Sequence, residues 1–344
     1  MLIASADAAS VKIASRILAT GGLVAIPTET VYGLAASLDQ DSALKRIFEV
    51  KRRPSSHPLI VHVPDAETAV RYVRSFSPHA TKLAAAFWPG PLTLVLPRSE
   101  LVPDCVTGSH HTVGIRVPSH PVTLQLLREL GTALAAPSAN RFTQVSPTRA
   151  AHVAVDLGHD VDLILDGGPC EVGVESTVLD LTSEQPPTIL RPGGISREAI
   201  ELVLEQAVLS PCEQSSTTPS PGQHHLHYSP RARVQIAAAA EIWKLAKQAA
   251  TEGKRVRVFA SERPTFPCRT LEPFETTPQD TRSEAEPIDF WLLPQDLHEL
   301  AKQLYSRFRE ADRDKVDILL IELPPNTGLG QAIRDRIRRA GGLS

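Results

Sequence analysis

Aromatic residues are scarce, at 5% of 344 positions, and neither sign of charge prevails: 36 Lys and Arg stand against 39 Asp and Glu, a formal net charge of -3. A surface that coats nucleic acid would be strongly basic, and one that stacks single-stranded bases would interleave aromatics. Both are disfavoured, although a local basic pocket is not. Cysteine is rare. Cys105, Cys170, Cys212 and Cys268 lie far apart and form no CxxC pair, so neither a zinc site nor a disulfide framework is expected; reduced thiols and a cytoplasmic location are. No apolar run reaches the roughly 18 residues of a membrane span, and the first residues lack the basic-then-apolar pattern of a secretory leader. There is no GxxxxGK[ST] loop, no GxGxxG fingerprint, no HExxH and no Ser-His-Asp order. A nucleotide, if bound, needs another cradle, and catalysis by positioning and electrostatics is favoured over a covalent route.

What is present is a mixed α/β pattern. Asp7 reads as the N-cap of a helix that Gly21-Gly22 stops. Strands are predicted at 23–26, 59–63, 92–96, 113–117, 132–136, 162–165, 177–181 and 188–190. Helices are predicted at 41–50, 78–86, 122–130, 148–155 and 197–205. Residues 209–232 are rich in Ser, Thr and Pro and read as a linker. Beyond it, strands at 233–237, 255–260, 288–293 and 316–323 alternate with helices near 240–250, 295–308 and 330–340, as in a small Rossmann-like domain. Residues 262–287 read as one long surface loop. The domains expected are 1–208, the linker 209–232 and 233–344.

Polar and basic patches recur at the ends of the predicted elements of the first domain. Thr30 follows a buried strand and suits a carboxylate or phosphate oxygen, or simply caps a turn. Lys51 and Arg53 flank a helix end that Pro54 stops; they can converge on an anion, or be a solvated helix end that the helix dipole favours. Arg116 has apolar neighbours, which implies burial and a partner: either a ligand or a structural ion pair. Ser138-Ala139-Asn140 is small enough to let a flat ligand approach. Ser146 reads equally as a helix N-cap. His62, within a strand, is more commonly a core histidine. Ser176 opens a strand where a ligand can come close.

Taken together, PTETVYGLAA (27–36), KRRPSSHPLIVHV (51–63), FWPGPLTLVLP (87–97), VGIRVPSHP (113–121), APSAN (136–140), SPT (146–148), DGGPCEVGVESTVLDL (166–181) and LRPGGIS (190–196) resemble the YrdC-like family of threonylcarbamoyl-AMP synthases. HYSP (227–230) and GLGQAIRDRIRRA (328–340) resemble its long form, which has an extra C-terminal domain. The chain departs from the family pattern at Phe142-Thr143, at His57 and at Gln223-His224-His225-Leu226. The resemblance implies a mixed twisted sheet with a concave basic cleft, followed by a smaller Rossmann-like domain. It implies a nucleotidyltransferase that makes threonylcarbamoyl-AMP from L-threonine, bicarbonate and ATP and releases pyrophosphate. This is the first step of modifying an adenosine beside the anticodon of tRNAs that read A-starting codons. By motif, Thr30, His62, Arg116, Ala136 and Ser176 would surround threonine, with Arg116 on its carboxylate. Lys51, Arg53, His57, Thr112, Ser138, Asn140, Ser146, Arg191 and Tyr228 would surround ATP. Lys51 and Arg53 would neutralise phosphate charge as it develops, and Tyr228 with His227 would act as a lid. Mg²⁺ would ride on the phosphates without a protein metal site, and the product would pass to tRNA threonylcarbamoyl-transfer proteins. The basic last helix offers a weak tRNA contact, against its commoner reading as a solvated face.

Overall fold

The computed structural model describes residues 2–183, 186–210, 228–271 and 287–343. Most of the expected linker, including His227 and Gln223 to Leu226, lies outside them. The chain divides into two compact units, Met1–Phe142 with Ser146–Gln223, and Thr143–Val145 with His224–Ser344.

The first unit holds ten strands: β1 (Ile3–Ser5), β2 (Val24–Ile26), β3 (Gly33–Ser37), β4 (Ile60–His62), β5 (Leu92–Pro97), β6 (Thr112–Arg116), β7 (Leu134–Ala135), β8 (Leu163–Asp166), β9 (Thr177–Asp180) and β10 (Thr188–Arg191). They form one mixed sheet in the order β1-β8-β2-β3-β7-β4-β6-β5-β9-β10. Eight α-helices accompany them among the described residues: α1 (Ala8–Ala19), α2 (Asp41–Lys51), α3 (Ala66–Ala69), α4 (Pro78–Phe87), α5 (Asp104–Thr107), α6 (Pro121–Leu130), α7 (Ala150–Asp156) and α8 (Arg197–Leu204). Asp7 caps α1 as expected, accepting the Ser10 N–H at 2.8 Å.

Strand side chains alternate between faces, and two cores follow from that alternation. Ala25, Leu34, Val61, Leu94 and Ile115 point to the larger core, with Leu44 and Ile47 of α2 and Leu83 of α4. Val24, Ile26, Ala35, Leu134, Leu163 and Leu165 point the opposite way, against Val11, Ala14 and Leu18 of α1 and Leu126 and Leu127 of α6. That second core reaches only from β8 to β7. Past β7, the same face of β4, β6, β5 and β9 carries no helix from this core. That part of the face instead carries a small cluster of Val95, Val178 and Leu190 beside buried polar side chains.

The second unit is a five-stranded parallel sheet ordered β11-β15-β12-β14-β13, from β11 (Arg233–Ile236), β12 (Val256–Ala260), β13 (Arg269–Thr270), β14 (Ile288–Leu292) and β15 (Ile318–Ile321). Its helices are α9 (Ala239–Thr251), α10 (Leu297–Arg313) and α11 (Gly330–Ala340). This is the Rossmann-like alternation expected from sequence. The predicted loop 262–287 needs one correction, because β13 lies inside it and pairs in parallel with β14. Two residues of edge strand leave no periodic signal.

Candidate active site

Beyond β7 this sheet face mixes polar and small side chains with apolar ones. Ile60 of β4, Thr112 and Gly114 of β6, Thr93 and Val95 of β5 and Val178 of β9 line one cavity there, with Thr107 and His110 at its side. The register explains the grouping. Ile60 pairs with Gly114 and His62 with Arg116 across two parallel strands. Val95 pairs with Gly114 across β5 and β6, and Thr93 with Val178 across β5 and β9. Paired residues share a face, so period-two spacing carries polar positions from strand to strand.

Arg116 stands where β6 ends. It is buried, 4% exposed, and held by two hydrogen bonds and one ion pair: Nε donates to Gly90 O at 3.3 Å, Nη2 donates to Thr30 Oγ1 at 3.0 Å, and Nη2 sits 2.7 Å from Glu29 Oε1. Among the described residues Nη1 has no hydrogen bond, and it is not sealed from solvent. Of the two readings open for Arg116, the ion pair is present, yet it leaves one edge of the guanidinium for a ligand. Thr30 is fixed in turn by Thr28, whose Oγ1 lies 2.9 Å from Thr30 Oγ1 and donates to Val31 O at 2.6 Å.

His62 lies beside Arg116. Its Nδ1 is 3.3 Å from Ile60 O. A carbonyl only accepts, so Nδ1 carries the proton and Nε2 is an acceptor. Burial first, and the Arg116 charge second, push its pKa from 6.5 down to about 3. His62 is thus a neutral acceptor at physiological pH. Ser176, just before β9, shares a 2.8 Å hydrogen bond with Thr93. Arg191 donates to Ser176 O from Nε at 3.2 Å and from Nη2 at 2.9 Å, and to Ser176 Oγ at 3.1 Å. The backbone of 192–194 lies close here: a Cβ on Gly193 would meet the Ser176 carbonyl carbon at 2.3 Å. Only glycine permits that approach.

Basic groups gather at the end of α2. α2 ends at Lys51; Arg52 turns left-handed at φ 52° and is exposed, while Lys51 and Arg53 turn inward. Lys51 Nζ donates to Ser138 O at 2.5 Å and Asn140 O at 2.6 Å. Burial, with the charge of Arg53 next, holds this ammonium well below its usual range. The loop it grips is also tied to β3, since Leu34 N–H donates to Pro137 O and Ala139 N–H donates to Tyr32 O. Ala136 enters that loop with its N–H on Ile60 O at 3.0 Å. Arg53 donates to Pro58 O at 3.0 Å and lies 5.7 Å from the Phe142 ring centroid. His57 meets the same ring edge-on at 5.3 Å, so the departures at His57 and Phe142 touch one another.

One alternative reading, Ser146 as a helix N-cap, is not met. Ser146 does not cap α7, whose N-cap is Arg149; Ser146 donates to Glu175 Oε1 at 2.6 Å. Tyr228 belongs to the second unit, where it stacks on Tyr305 at 5.8 Å with Arg336 4.8 Å from its ring. Sequence reasoning did not single out Glu29, Thr93 or Glu175. Thr93 had a findable signal, a hydroxyl at an inward position of an otherwise apolar strand. Glu29 and Glu175 lie in loops, where periodicity is silent.

The Sua5/YciO/YrdC family model, described as telomere recombination, matches residues 16–193, and that of the threonylcarbamoyl-AMP synthase C-terminal domain matches residues 195–342. The threonylcarbamoyl-AMP synthase of Pyrococcus abyssi is 38% identical over 96% of this chain and 94% of its own. The chain belongs to the threonylcarbamoyl-AMP synthase family. The Bacillus subtilis member of that name is also 38% identical, over 96% of this chain and 92% of its own. A crystal structure of P. abyssi Sua5 complexed with L-threonine matches with a TM-score of 0.86 at 38% identity, covering 99% of this chain and 96% of that one. A further solved P. abyssi Sua5 structure, a variant with a histidine and a tyrosine replaced by alanine, matches with a TM-score of 0.87. As a threonylcarbamoyl-AMP synthase, this chain is an enzyme of nucleotidyltransferase type. No helix among the described residues is long and apolar enough to cross a membrane.

Proposed function

We propose that the first unit joins L-threonine, bicarbonate and ATP into threonylcarbamoyl-AMP on the face of its sheet beyond β7. The observation that carries this is the Arg116 edge left unbonded beside a neutral His62, which suits an amino-acid carboxylate and a neighbouring hydrogen-bond donor. The threonine set is Thr30, His62, Arg116, Ala136 and Ser176. The nucleotide set is Lys51, Arg53, His57, Thr112, Ser138, Asn140, Ser146 and Arg191; Tyr228 is kept in it on its motif alone.

Threonine's amine takes up carbon from bicarbonate, losing water, to give the carbamate. A carbamate oxygen then attacks the α-phosphorus, and the bond to pyrophosphate breaks. The protein aligns the two, keeps water from the labile carbamate and balances the charge of departing pyrophosphate. Lys51 and Arg53 are the proposed source of that charge. Among the described residues no three His, Cys, Asp or Glu side chains are grouped to hold a metal, and the proposal gives Mg²⁺ its ligands from the phosphates. The product then goes to tRNA threonylcarbamoyl-transfer proteins, in the cytoplasm, for the adenosine beside the anticodon.

Carbon-labelled bicarbonate tests this chemistry. With threonine and ATP, the label is expected in a product of the mass of threonylcarbamoyl-AMP. Labelled product without threonine, or adenylate without label, contradicts the proposal.

A further inference from the structure

Glu29 is the one carboxylate that pairs with Arg116 among the described residues, and it is as buried as its partner. Its Oε2 accepts the Ser119 N–H at 3.1 Å, and its backbone carbonyl accepts the Val172 N–H at 2.8 Å. The carboxylate is therefore held from the segment that follows β6, and its backbone from the segment that precedes β9. Its Oε1 lies 2.7 Å from Arg116 Nη2 yet has no donor aligned on it for a hydrogen bond. The pair is fixed in position, neutral overall, and has unused capacity on both partners: Oε1 on the carboxylate and Nη1 on the guanidinium.

An amino acid in water is also neutral overall, with its carboxylate and ammonium on the same carbon. A carboxylate seated on Arg116 Nη1 places its own ammonium in the field of the carboxylate bound to the same guanidinium. His62, neutral, adds no charge to oppose it. We propose that Glu29 sets the preference of this site for a zwitterionic amino acid over the corresponding anion that lacks the ammonium. Arg116 alone attracts any carboxylate. Glu29 cancels that general attraction and restores it only for a ligand that brings a positive charge alongside. Glu29 acts through the field and through Arg116; it is a specificity-determining residue. This inference rests on the threonine reading of the site.

The test is calorimetric titration of the full chain with three ligands: L-threonine; 2,3-dihydroxybutanoate, in which a hydroxyl replaces the ammonium; and threonine amide, which lacks the carboxylate charge. In the wild-type protein both singly charged analogues are expected to bind at least about tenfold more weakly than threonine. In Glu29→Gln the ratio between dihydroxybutanoate and threonine is expected to fall by about tenfold, because the anion gains affinity. Glu29→Asp is expected to keep the wild-type ratio. If Glu29 only props Arg116, Glu29→Gln weakens both ligands by the same factor, and an unchanged ratio overturns the proposal. Should Glu29→Gln not fold, the wild-type comparison stands alone: an anion bound as tightly as threonine overturns it. A wild-type protein that binds none of the three overturns the threonine reading itself and this inference with it, a result distinct from an unselective site.

Discussion

His62 connects sequence, packing and charge in one side chain. It takes the inward position at the end of a three-residue strand, in register with Arg116. Burial and that neighbour lower its pKa to about 3 from 6.5. The unfolded chain therefore binds a proton at pH values where the folded chain does not. His62 leaves stability intact above about pH 6.5 and erodes it as the pH falls from there toward 3. The slope approaches about 1.4 kcal/mol per pH unit, or about 2 kcal/mol between pH 7 and pH 5. His62→Gln should flatten that part of the profile. Urea unfolding at the two pH values measures it, and an equal loss in wild type and variant would contradict the assignment. The sequence named His62 but favoured a bland core histidine. Its burial and its Nδ1 contact with Ile60 O are compatible with both readings, and a strand pattern could supply neither.

The joint between α2 and the loop 137–140 is the element on which the proposed nucleotide half depends. Lys51 is the last residue of α2, and its ammonium is shared by two carbonyls of a loop that β3 also holds. An arginine would keep the charge but replace a compact donor with a planar fork. Lys51→Arg is expected to weaken ATP binding by about tenfold, with threonine binding little changed. Separate titrations of the two ligands check this, and equal losses would argue for general disruption of the unit. Much at this scale was legible in sequence. The amphipathic period of α2, the breaking Pro54 and the small residues of 138–140 placed both partners correctly at element ends. Their mutual bond was not legible, because 87 residues separate Lys51 from Ser138 and local periodicity says nothing about which ends meet. β3 escaped for a related reason: GLAAS is buried throughout, so it lacks the alternation that marks a half-exposed strand.

At the scale of the whole molecule, one mixed sheet and one parallel sheet divide the chain. The βα alternation after residue 232 was readable as a Rossmann-like unit because its helices and strands are long and periodic. The first sheet's order was not readable, since β8 inserts between β1 and β2 only after more than a hundred intervening residues. That order creates the functional asymmetry. Helices α1 and α6 cover the face from β8 to β7, and the rest of that face carries Arg116, His62, Thr93 and Gly114 in register. Family membership and this polar face both support the proposal that threonine is activated by ATP there.

Pyrophosphate release tests that claim most directly. The full chain is incubated with ATP and Mg²⁺, with threonine and bicarbonate omitted in turn and serine offered in place of threonine. The account predicts release that requires both threonine and bicarbonate, falls with serine, and is lost in Arg116→Ala protein whose circular dichroism matches wild type. Release that continues without threonine, or that survives Arg116→Ala undiminished, would contradict it.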